Sequence, residues 1–202
     1  MDSCRKKSRR ERAYQITISR MTRDFHRQQI IEAQDFAIQR MRSQRDFLRQ
    51  ESIAEADYYR NRLLRARDFG IQITRAEQDH QRNMLRSKED HEWRLRRIIM
   101  EGDALAFWEE NRQYEVDRRR SEEDYNIDRA RNNEDFAREM ADREREFQIE
   151  RDRRAEEFKI QQQDAVRDFE IRRKRSAEQF KLQLADQETQ FNEERTRRQQ
   201  AL

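Results

Sequence analysis

The sequence predicts an all-α protein. It reads as one very long, near-continuous α-helix with an aromatic repeat every eleven residues (a hendecad). Such a helix should assemble as a straight or slightly right-handed coiled coil, a helical bundle or a filament. Three observations carry this expectation: a composition that cannot build a globular core, a ring in every eleventh slot, and charges of both signs interleaved along the chain.

Composition comes first. Of 202 residues, 33% are hydrophobic and 44% charged; there is no proline, and Gly70 and Gly102 are the only glycines. A globular domain needs turns, which draw on Gly, Pro, Asn, Asp and Ser. Disordered chains are proline-rich and poor in aromatics, whereas this one carries 9% aromatics at regular positions. A long charged helix is the class that remains.

The repeat is the strongest signal. One series runs Tyr14, Phe25, Phe36, Phe47, Tyr58, Phe69, His80 and His91. A second runs Tyr114, Tyr125, Phe136, Phe147, Phe158, Phe169, Phe180 and Phe191, with Leu202 in the next slot. Eleven residues complete three turns at ~3.67 residues per turn, close to the relaxed α-helix, so the rings return to one side with little supercoiling. An acid precedes most rings: Asp24, Asp35, Asp46, Asp57, Asp68, Asp79 and Asp90, then Asp124, Asp135, Glu146, Glu157 and Asp168. Asp is a poorer helix former than Glu, so its use here suggests a short carboxylate that receives an arginine from an adjacent helix and sets register.

A second stripe lies two residues after the rings of the C-terminal half: Val116, Ile127, Ile149, Ile160, Ile171 and Leu182. Two residues rotate a helix by about 200°, so these aliphatics oppose the aromatics. A two-stranded coil buries one seam only. The expectation is a helix covered on both sides, as in a layer or filament wall. The N-terminal half has a broader apolar surface.

Taken in order, the segments are a basic, flexible head (1–12), a first helical series (13–101), a phase slip or turn (102–113) and a second helical series (114–202). The head, "MDSCRKKSRRER", sets six bases against two acids. Cys4 beside that cluster is a candidate lipidation position, and membrane contact through this head is a subsidiary expectation. Within the slip, Gly102 occupies a ring slot and Asp103 is the added residue. "MEGDAL" offers few turn formers, which favours a helix absorbing the extra residue. The alternative is an antiparallel helical hairpin, with Gly102 closing one helix and Asp103 capping the next. Trp93, Met100, Phe107 and Trp108 are expected to refill the core where the repeat is interrupted, or else to anchor a partner.

Lys+Arg is 46 and Asp+Glu 43, a net charge of +3, which argues against nucleic acid as a partner. Only six of the bases are lysine. Arginine's planar fork suits carboxylate pairing and ring stacking, in keeping with pairing between helices. Pairs such as Glu134→Arg138, Glu139→Arg143 and Glu194→Arg198 have the favourable helical orientation.

No catalytic constellation, phosphate loop or metal-ligand spacing emerges, so the chain is expected to be neither an enzyme nor a carrier of cofactor, metal or small-molecule substrate. His80 and His91 read as rings tolerated in the stripe. With one cysteine, no apolar run of membrane-spanning length and no signal-like start, the expected location is the cytoplasm or cytoskeleton. The expected function is a structural coiled-coil subunit that self-assembles through both stripes. The alternative is an elongated cytoskeleton-associated protein that uses the repeat as a ruler on a microtubule-type lattice or on related coiled-coil subunits. A lipid-surface helix ranks third: lipid-droplet and apolipoprotein-like coats share the repeat length, but their single apolar face is flanked by lysines.

Overall fold

The computed structural model describes residues 2–200, with side chains from residue 8 onward. Two helices account for nearly all of it: α1 (Asp2–Glu101) and α2 (Ala104–Gln200). No strand is present among the described residues. Helix is what an eleven-residue period and the absence of proline demand. Because α1 begins at Asp2, the basic segment 8–12 is helical. Cys4 and Leu202 lie outside the residues whose side chains are described.

The expected near-continuous helix is not what forms: α1 ends at Glu101 and helix resumes at Ala104. Gly102 has φ +74°, a left-handed conformation that costs glycine little and L residues more. Its N–H donates to the carbonyls of Ile98 (3.1 Å) and Ile99 (3.2 Å), closing α1. Asp103 then caps α2: its Oδ1 accepts from the Ala106 N–H at 3.0 Å, and its carbonyl accepts from the Phe107 N–H at 3.1 Å. The lack of further turn formers was the wrong test. One residue that tolerates positive φ and one capping carboxylate are enough to reverse a helix.

Two compact units are formed. The first combines residues up to Glu51 with those from Arg153, and the second is Ser52–Asp152. Each unit is an antiparallel pairing of an α1 segment with an α2 segment. In the first, Tyr14 stacks on Phe191, Phe25 on Phe180, Phe36 on Phe169 and Phe47 on Phe158, all with centroids 4.2 Å apart. In the second, Tyr58 stacks on Phe147 (4.2 Å), Phe69 on Phe136 (4.1 Å), His80 on Tyr125 (4.1 Å) and His91 on Tyr114 (4.0 Å). In every pair the two rings stand equally far in sequence from the Gly102–Asp103 peptide bond. The inserted residue thus places the centre of symmetry on a bond. In a continuous helix the same residue would turn the second stripe about 100° away from the first.

Two helices leave most of the rings partly open to solvent. Fifteen of the sixteen stacked rings are half-buried and only His91 is buried. Among the described residues no apolar side chain is fully buried. Trp93, Met100, Phe107 and Trp108 do not refill a core: all four are exposed, Met100 at 88%, and Trp93 and Met100, two and nine residues after His91, lie on the side of α1 away from the ring.

Candidate functional site

Each helix presents two kinds of face, and the ring slot defines both. The inward face consists of the ring together with the residues four and seven positions after it, which lie within about 40° of the ring direction. In antiparallel pairing, position four on one helix meets position seven on the other, and there the side chains are largely polar. In the first unit the Gln29 Nε2 donates to Ser176 Oγ at 3.3 Å. Gln162 Nε2 donates to Ser43 Oγ at 3.1 Å, and Arg40 Nε donates to Gln162 Oε1 at 3.3 Å. In the second unit Arg62 and the Tyr58 hydroxyl both donate to Glu144, at 2.7 and 3.1 Å, and Arg65 donates to Glu139 at 2.8 Å. At these levels hydrogen-bonded side chains fill the seam between stacked rings. Burial, and then the bond to Glu144, push the Tyr58 hydroxyl above its ordinary pKa.

The most enclosed group is His91, at 6% exposure. Its Nδ1 lies 3.1 Å from Glu110 Oε1 and its Nε2 3.1 Å from Asn111 Oδ1. The Asn111 amide nitrogen donates to the Phe107 carbonyl at 3.0 Å, so its oxygen is the atom turned to His91. Both ring nitrogens thus lie at hydrogen-bonding distance from a side-chain oxygen. Arg94 Nε also donates to Glu110 Oε1, at 2.6 Å. Burial alone would raise the Glu110 carboxyl, but the bonds from His91 and Arg94 outweigh it and hold its pKa below the ordinary value.

The aliphatic stripe faces away from the rings. Ile127, Ile149, Ile160, Ile171 and Leu182 are exposed, between 41% and 67%, while Val116 is half-buried. The acids before the rings occupy a third direction. They sit about 100° to the side of the ring and are exposed. Asp24, Asp68, Asp79 and Glu157 pair with arginines of their own helix. The carboxylates that join α1 to α2 are others: Glu51, Glu110, Glu139 and Glu144. Those four escape a reading of one helix at a time: Glu51 at position four meets Arg154 at position seven, whereas Glu139 and Glu144, at positions three and eight after Phe136, are reached from the other helix by Arg65 and Arg62. The helical pairs Glu134–Arg138, Glu139–Arg143, Glu193–Arg197 and Glu194–Arg198 do form.

Among the described residues no cluster of three or more His, Cys, Asp or Glu side chains is placed to hold a metal ion, and no helix is long and apolar enough to cross a membrane. The chemistry on offer is surface recognition. The rings are occupied within the chain, and the outward stripes are not. No protein-family model, curated protein or solved structure matches the chain.

Proposed function

We propose that this chain is a structural coiled-coil protein, a subunit that self-associates into a filament, fibre or lattice through the outward aliphatic stripe of α2. The observation that carries the reading is that Ile160, Ile171 and Leu182 in the first unit, and Ile127 and Ile149 in the second, are each exposed on the side opposite the rings. Burying one such side chain contributes about 1.5–3 kcal/mol when it starts fully exposed, and less here. Association costs about 4–15 kcal/mol in lost freedom, so one isoleucine achieves nothing and several in register are needed. The repeat supplies them about 16 Å apart along each helix segment. Charge does not oppose it: the outward positions of α2 in the first unit, from Arg153 to Arg197, hold five bases and five acids.

The role of the rings in this reading is narrower than assembly through both stripes. They close the chain on itself and stiffen each unit, leaving the aliphatics for neighbours. Negative-stain microscopy of the purified chain over a salt series tests it. Ordered filaments or sheets are expected, and Ile149→Ser with Ile160→Ser should abolish them while leaving the helical content intact. A chain that stays monodisperse at all concentrations and salts overturns the reading and leaves a ligand of another polymer in its place.

A further inference from the structure

The two outward faces of the first unit differ in charge. Measured from each ring, positions two, five, six and nine point about 140–240° away from it. On α1 between Ile16 and Arg49 these positions hold six arginines: Arg20, Arg23, Arg27, Arg42, Arg45 and Arg49. They also hold five bulky aliphatics, Ile16, Ile30, Ile31, Ile38 and Met41, all exposed and Met41 at 63%. There is no carboxylate among them. The acids of this stretch, Asp24, Glu32, Asp35 and Asp46, all lie at positions seven and ten, beside or within the ring seam. Such segregation of sign is not a general property of the repeat, because the outward positions of α2 in the same unit are balanced. In the second unit the same α1 positions again carry seven arginines and one acid, Glu89.

We propose that the outward face of α1 docks on an anionic phospholipid surface. The proposal concerns a different face from the assembly reading and does not depend on it. Charge complementarity requires an acidic partner, and a second copy does not supply one: its α2 face is neutral and its α1 face repels. An acidic polymer or nucleic acid would use the arginines but hold the isoleucines against charged groups. The headgroup layer of a bilayer accepts both. Guanidinium forks pair with phosphodiester oxygens, and the aliphatics enter the boundary between headgroups and acyl chains. The preference for arginine over lysine fits phosphate recognition by a fork. Attraction of this kind weakens with salt, since exposed charges are screened beyond about 8 Å at physiological ionic strength.

Vesicle flotation tests this, because assembled protein sinks while vesicle-bound protein rises. The chain should float with phosphatidylserine–phosphatidylcholine vesicles at low salt, less at high salt, and not with phosphatidylcholine alone. Arg27→Glu, Arg42→Glu and Arg45→Glu together should weaken binding by about a hundredfold, given the contribution of each base near an anionic leaflet. Ile30→Ser, Ile31→Ser and Ile38→Ser together should weaken it by about tenfold or more. Arg167→Glu with Arg175→Glu, on α2, should leave it unchanged. Circular dichroism checks each variant, and a set that loses helix is replaced by Arg→Gln or Ile→Ala at the same positions. Three results overturn the proposal: no flotation with anionic vesicles, equal flotation with neutral ones, or an aliphatic variant that binds like the original. If duplex DNA or polyglutamate binds the chain more tightly than the anionic vesicles do, the partner is an acidic polymer instead.

Discussion

Arg154 of α2 grips Glu51 of α1 at two points, with Nε 2.6 Å from Oε1 and Nη2 3.3 Å from Oε2. The pair matters because rings alone cannot choose a register. A ladder of near-identical rings looks the same after a slide of eleven residues; such a slide sets Glu51 opposite Ala165 in one direction, where the ion pair is lost, and opposite Arg143 in the other, where an arginine still faces it.

Glu51→Ala should therefore destabilise the first unit by about 1 kcal/mol, at the upper end for a partly exposed ion pair. Exchanging the charges, Glu51→Arg with Arg154→Glu, should recover much of that loss. Urea unfolding of the single, double and original chains measures the coupling; equal stability of Glu51→Ala and the original would remove the register role.

The stack of Phe47 on Phe158 makes a related prediction. Either ring replaced by leucine should lower stability, and the double replacement should cost less than the two single effects added. The missing part, about 0.5–1.5 kcal/mol, is the stacking beyond simple burial. Strict additivity in the cycle would mean the rings act only as separate apolar surfaces.

At the turn, Gly102→Ala places a Cβ where φ is +74°. No neighbour lies within 4 Å of that Cβ, so the cost is conformational, about 1–2 kcal/mol. Asp103→Ala removes the cap on the Ala106 N–H and should cost about 1 kcal/mol. Both effects should appear as faster amide hydrogen exchange at the ends of α1 and α2 nearest the turn. Exchange unaltered in both variants would show that the seam, not the turn, holds the reversal.

Glu110 gives the pH dependence. Its folded pKa lies below the ordinary 4.5, so its contribution is complete above that value and disappears as the pH falls through the lower, folded value. Acidification should loosen the contact with His91 and Arg94 in the original chain. Glu110→Gln should be weaker at neutral pH and lack this acid-dependent component. Parallel acid profiles for the two chains, by hydrogen exchange around Asn111, would contradict the assignment.

Much of the fold was legible from residues read singly along the chain. The rings at Phe25 or Phe147 declare a helix because only a helix returns to one face every eleven residues. Ile149 and Ile160 declare an opposite face by the same arithmetic, and they are exposed there. Gly102 and Asp103 were visible as an anomaly, since they break the count by one. Asp68 and Asp79 lie to the side of the rings and pair with arginines of their own helix.

The geometry of each helix was legible in the residue order, because periodicity is a property of one helix and needs no partner. What the rings meet depends on how the chain folds back. In the second unit the left-handed residue at Gly102 reverses the chain and Tyr114 stacks on His91; in the first, Phe158 stacks on Phe47 and Arg154 meets Glu51. Distances in sequence do not reveal such meetings until the direction of the chain is known. Once it reverses at Gly102, the rings are consumed within the chain, and the aliphatic and arginine-rich faces are what it offers to others.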